Sequence, residues 1–146
     1  MAGDTDTITL AEYAMGEEQI SRIETVLEQL VDIGVHSVLV IDMAGNIIAL
    51  RDNGRVRIDV YSLAALAAAN FGAVEAMARL VGEEEFSLLF HKGEHESLHF
   101  LKINSELLML SLFGPELTLG LLRIKAGEAA AAIRNIYSGR TGDGMR

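Results

Sequence analysis

Three histidines, His91, His95 and His99, recur at intervals of four. On a helix that spacing would line one face and offer imidazole nitrogens to a transition metal. Here Lys92-Gly93-Glu94-His95 reads as a turn between two apolar runs. The three therefore straddle a hairpin, share no defined face, and are expected as hairpin surface residues rather than ligands. Arg51, Arg55 and Arg57 form the one concentrated basic stretch and could reach a phosphate as an arginine finger. Asp52 and Asp59 dilute them, and loop arginines are ordinarily solvated. Glu83-Glu84-Glu85 reads as the solvated exit of a helix rather than an acidic docking patch. Asp4-x-Asp6 starts like a calcium loop but lacks the glycine and the later acid that complete one. The sequence contains no G-x-x-x-x-G-K-[ST] loop, no G-x-S-x-G elbow, no H-E-x-x-H helix and no cysteine. We expect no metal, no cofactor and no catalytic residues.

The elements that would position these residues follow from periodicity. Ile20, Ile23, Leu27, Leu30 and Val31 recur at helical spacing, with Glu17 and Glu18 at the positive end and Gly34 as the stop, so residues 17–33 predict a helix. Two β-branched runs, His36 to Asp42 and Ile47 to Leu50, flank Met43-Ala44-Gly45-Asn46, where Gly and Asn suit the positive φ of a tight reversal. The polar stretch from Arg51 to Ile58 leads to a long helix from Val60 to Val81. Phe86–His91 and Glu96–Ile103 predict a second hairpin, and Leu107–Phe113 a further strand ended by Gly114-Pro115. Leu117 to Ile124 reads as extended, and Ala126 to Tyr137 as a last helix with Ala130, Ile133, Ile136 and Tyr137 as its apolar positions. The Gly-rich residues 138–146 are expected to fray. The order helix, two strands, helix, three strands, helix implies an α/β (α+β) sandwich built on a five-stranded antiparallel sheet.

The helix from Tyr61 to Gly82 is apolar on every side. At 100° per residue, Leu63, Leu66, Ala73, Val74, Met77, Leu80 and Val81 gather on one arc, which by bulk should lie on the sheet. The opposite arc carries Ala64, Ala68, Gly72, Glu75 and Arg79, flanked by Ala65, Ala69, Phe71 and Ala76. Alanine is a good helix former and can fill a surface cheaply, but that does not account for Gly72 or Phe71. A helix apolar all round is normally buried all round. The outer arc is therefore expected to be a protein interface, first for self-association, and Ala68→Arg is expected to disturb it while sparing the fold. Asn70 falls on the inward side and should hydrogen-bond a backbone group of the sheet or a loop.

At 146 residues the chain fits one domain, and no uninterrupted apolar run reaches the ~18 residues of a membrane helix. The formal charge of −9 argues against nucleic acid as a partner. The absence of cysteine and of a basic N-terminal region suggests a cytoplasmic protein without membrane insertion.

The combination of Val38-Leu39-Val40-Ile41-Asp42 with Gly45, the Ala-rich helix Leu63 to Gly82, Phe86 with His91-x-Gly93-Glu94, and Leu119-Gly120-Leu121-Leu122-Arg123-Ile124 resembles the Roadblock family, and within it the bacterial gliding-motility branch. The resemblance spans residues 17–137, leaving 1–16 as an N-terminal extension and 138–146 as a flexible tail. It implies a profilin/Roadblock-like fold and homodimers joined edge to edge, with their second helices side by side. It also implies docking of a small Ras-like GTPase on those helices, whose hydrolysis is promoted by rearranging the GTPase's own switch elements rather than by an inserted arginine. Ala64, Ala65, Ala68, Phe71, Gly72, Glu75, Ala76 and Arg79 would then be partner-binding. The alternatives are a non-catalytic scaffold or light chain in a motor or signalling complex, and a small-molecule sensor domain.

Overall fold

The computed structural model describes residues 15–86 and 89–144. In chain order the elements are α1 (Glu17–Asp32), β1 (Ser37–Asp42), β2 (Ile47–Asp52), α2 (Val60–Leu80), β3 (Leu89–His91), β4 (Ser97–Lys102), β5 (Leu107–Phe113) and α3 (Leu119–Gly144). The strands form one antiparallel sheet in the order β2-β1-β5-β4-β3, with β2 and β3 at the edges. β1 and β5 lie at its centre and are buried along their whole length, which is why both are continuous apolar runs rather than alternating ones.

Two cores sandwich this sheet. On one face Ile23, Leu27 and Leu30 of α1 and Leu122, Ala126, Ala130 and Ile133 of α3 pack on Val38, Val40, Leu107 and Met109. On the other, Ala64, Ala67, Ala68 and Phe71 of α2 pack on Leu39, Ile41, Phe100, Leu108 and Leu110. The sheet supplies the bulk on the α2 side, and alanine lets the helix come close to it.

The hairpin turn sets the same requirement. Asp42 Oδ1 accepts from the backbone N–H groups of Ala44 and Asn46 at 3.0 and 2.9 Å, and Gly45 alone takes the left-handed conformation, at φ 92°. A Cβ on Gly45 would stand 2.8 Å from the Cα of Ala65 and 3.2 Å from the carbonyl oxygen of Ala64. The turn thus touches the backbone of α2, and glycine is needed for both torsion and space.

Several sequence expectations need correction. Leu117 to Ile124 is not extended: α3 starts at Leu119, where the Thr118 hydroxyl accepts from Leu121 N–H at 3.2 Å. The apolar positions Leu122, Ala126, Ala129, Ala130 and Ile133 continue that helical stripe. α3 does not stop at Tyr137 but runs to Gly144, so the expected tail begins as helix. The expected extension, 1–16, and Asp4-x-Asp6 within it lie outside the described residues, apart from Met15 and Gly16. Met15 is buried in the α1/α3 core.

His99 is not a surface residue. It is 3% exposed on the α1/α3 face of β4, directly opposite Ser111 of β5. Neither its Nδ1 nor the Ser111 hydroxyl has a hydrogen-bond partner among the described residues. Burial, followed by the charge of Arg123, pushes its pKa down from 6.5 to about 4.

Two predictions follow from this packing. Gly45→Ala should cost roughly 1–3 kcal/mol, read as a lower urea midpoint at unchanged slope. A depressed pKa in the fold means that the unfolded chain takes up the proton first, so wild-type stability should fall as pH drops from 6.5 toward about 4. In parallel denaturation curves, the advantage of His99→Leu over wild type should grow across that window by up to about 3 kcal/mol. A pH-independent difference would contradict the assignment.

Candidate protein-binding face on the second helix

α2 is capped by Asp59, whose carboxylate accepts from Ser62 N–H at 3.1 Å and from the Ser62 hydroxyl at 2.6 Å. From this cap the helix runs for 21 residues across one face of the sheet. By length and composition it is the one described helix apolar enough to cross a membrane; here its alanine side lies on the sheet.

The helix is rotated by about a third of a turn from the orientation that bulk suggested. Ala64 is 0% exposed and Ala68 8%, and Phe71 is buried with them, so these three expected partner-binding residues face the sheet. Ala65, Gly72, Ala76 and Arg79 do face solvent. Glu75 sits half-buried on the rim, where it accepts from Lys102 Nζ at 3.1 Å. Of the residues assigned inward, Leu63 is half-buried against the α2-side core and Val74 is half-buried, but Leu66 is 69% exposed and Leu80 86%, with Met77, Val81 and Ala73 also exposed. The solvent face thus combines Leu66, Met77 and Leu80 with a floor of small residues, Ala65, Ala69, Gly72, Ala73 and Ala76.

Asn70 is exposed rather than inward, and its Oδ1 lies 3.2 Å from Nε2 of His91. The His91 ring stands edge-on to Phe100, with centroids 5.5 Å apart. This contact fastens the middle of α2 to edge strand β3, whose outer side pairs with no strand among the described residues. Lys102, at the end of β4, bridges Glu75 at 3.1 Å and Glu85 at 3.9 Å, which makes Glu85 a tether of the helix exit. An apolar helix face and an open strand edge therefore adjoin.

The other candidate residues do not converge. Register places His91 opposite Leu98 and His99 opposite Phe90, hence on opposite faces of the sheet, while His95 is exposed in the turn. Among the described residues no cluster of three or more His, Cys, Asp or Glu could hold a metal. Arg51 belongs to β2, not to the loop, and pairs with Glu24 at 3.2 Å and Glu28 at 3.5 Å. Arg55 and Arg57 are exposed on the following loop.

Polarity does not orient α2 either: Ser62 and Asn70 share the arc of Leu66 and Met77, but Glu75 and Arg79 stand on the opposite arc.

The Roadblock/LC7 domain model matches residues 22–113. Among solved structures the chain is similar to MglB of Myxococcus xanthus, at 30% identity and a TM-score of 0.79, covering 86% of this chain and 95% of that one. It is also similar to an MglB with a tetrameric arrangement, at 26% identity, a TM-score of 0.79 and the same coverage. Profilin IB of Acanthamoeba castellanii, at 12% identity and a TM-score of 0.51 over 71% of this chain and 88% of that one, shares the fold alone. No curated sequence matches the chain. The element order, the sheet topology and the family match together make this chain a member of the Roadblock/LC7 family.

Proposed function

We propose that the protein is a homodimeric regulator and binding partner of a small Ras-like GTPase, working in the cytoplasm and promoting GTP hydrolysis by reorganising the GTPase's switch regions. The observation that carries this reading is the uncovered solvent face of α2. A contiguous apolar face beside an unpaired strand edge is a surface that a soluble protein normally covers. Full burial of each of Leu66, Met77 and Leu80 would contribute roughly 1.5–3 kcal/mol. The small residues between them let a second helix approach closely. Two copies meeting through β3 and α2 would set their second helices side by side and leave part of both for a third protein. Similarity to MglB, including one of tetrameric arrangement, supports self-association and a place in a GTPase pathway. The interface residues in this reading are Ala65, Leu66, Ala69, Gly72, Ala73, Ala76, Met77, Arg79 and Leu80.

Leu66→Arg tests it. Sedimentation velocity should show wild type as a dimer or larger, and the variant's self-association should weaken at least about tenfold. Because Leu66 is outside the core, its melting temperature should stay within a few degrees. Ala68→Arg should instead unfold or strongly destabilise the protein, since Ala68 faces the sheet. With a GTP-loaded Ras-like GTPase from the same cell, wild type should bind and raise single-turnover hydrolysis, and Leu66→Arg should do neither. Binding with an unchanged rate would favour the scaffold or light-chain reading. A monomeric wild type that binds no GTPase would overturn the proposal.

A further inference from the structure

At one end of the sheet the chain enters β1 and β4 and leaves β2 and β5. His36 sits there, immediately before β1, and its backbone already links two neighbours. Its N–H donates to the Leu112 carbonyl at 2.8 Å, and its carbonyl accepts from Asn53 N–H at 2.9 Å. Its ring links two more segments. Nδ1 lies 2.9 Å from each oxygen of Glu96, in the β3–β4 turn, and Nε2 is bonded to Glu116, in the β5–α3 turn. The two glutamates are 60 and 80 residues away in sequence, so the ring ties side chains of two distant turns to the start of β1.

The chemistry of the ring fixes its charge. Neutral imidazole has one N–H and one lone pair, and an ionised carboxylate can only accept. A carboxylate on each nitrogen therefore requires both nitrogens to donate, which is the imidazolium. The backbone makes room for this arrangement. A Cβ on Gly114 would stand 2.9 Å from His36 Cε1, and 2.5 and 2.9 Å from the carboxylate oxygens of Glu116.

We propose that His36 is a proton-operated clamp: as the imidazolium it ties the β3–β4 and β5–α3 turns to the start of β1, and on losing its proton it releases one of the two carboxylates. Four charged groups face it. Glu96 and Glu116 touch it, and Arg55 and Arg57, on the β2–α2 loop, line a cavity of about 370 Å³ that His36 and Glu96 also line. The arginines oppose the imidazolium, but the carboxylates are in direct contact and prevail. Burial lowers the His36 pKa, the bonds to Glu96 and Glu116 raise it, and the balance lies above the ordinary 6.5. The Glu116 carboxyl is lowered, first by its own backbone N–H and then by His36. A raised pKa in the fold means the clamp's stabilising contribution is present below 6.5 and is lost as pH rises through the folded value, where the clamp opens. While closed it also engages Glu96, which is not paired with either arginine despite lining the same cavity.

Nuclear magnetic resonance of the full chain between pH 5 and 9 tests the clamp. The His36 Cε1–H should titrate above 6.5, and the backbone amides of Glu96 and Glu116 should shift with the same midpoint. Glu96→Gln and Glu116→Gln should each move the His36 midpoint down, with amide dispersion elsewhere preserved because both side chains are at the surface. A wild-type midpoint at or below 6.5 would overturn the proposal. So would a midpoint that neither substitution moves, or turn amides that stay flat through the His36 titration.

Discussion

The rest of the molecule depends on how closely α2 lies on the sheet. Ala64, Ala67, Ala68 and Ala78 form most of the contact side, with Phe71 buried among them and Val60 and Leu63 half-buried at its start. A methyl group projects little, so the helix settles onto Leu39, Ile41, Leu108 and Leu110 and meets the first hairpin at Gly45. Larger side chains on that side would lift the helix and break the contact with the turn. The bulky residues must then go elsewhere, and the arc left to them is the solvent arc. One packing requirement thus both completes the core and leaves Leu66, Met77 and Leu80 uncovered.

The two faces of the sheet differ in what they bury. The α1/α3 face is covered by two helices whose Ile23, Leu27, Leu30, Leu122 and Ile133 are fully or almost fully buried. The α2 face has one helix and mostly alanine. Each buried alanine removes less apolar surface from water than a leucine does, so the α2 layer gains less per residue. Covering its outside with a second protein would add apolar burial where the monomer has least. That asymmetry fits the association proposed for this protein: the well-packed side holds the domain, and the thin side presents a surface.

Much of this was legible in the chain. The element order, the five strands, the hairpin at Gly45 and the inward stripe of α1 follow from periodicity and turn residues, and the structure bears them out. The faces of α2 were not legible by size, because a helix apolar on every side has no direction of its own. Its orientation is decided by the sheet, which sequence places nowhere in particular. Glu75 looked solvent-facing and is tied to Lys102, a residue 27 positions away. Leu117 to Ile124 looked extended because four aliphatic residues, Leu119, Leu121, Leu122 and Ile124, crowd the first turns of α3. The Thr118 cap and the alanines further on identify it as helix. His99 was misplaced for a related reason: a strand one step from the edge is still covered on the α3 face, and a lone histidine in an apolar run does not reveal which face it takes.

His36 and His99 show how position, rather than residue type, sets proton chemistry. Both leave the ordinary value of 6.5, in opposite directions. His99 lies under α3 with an unpaired nitrogen and a cation nearby, so burial dominates and the neutral ring is preferred. His36 lies at the end of the sheet between two carboxylates, so the charged ring is preferred. Through linkage, the first makes the fold less stable as pH falls below 6.5, and the second makes it less stable as pH rises above it. Their contributions therefore weaken the fold on either side of near-neutral pH. They also act in different places: the acid limb acts on the α1/α3 core, whereas the alkaline limb acts only on the turns that carry Glu96 and Glu116. A loss of order confined to those turns is thus the distinguishing mark of His36, and loosening beneath α3 that of His99.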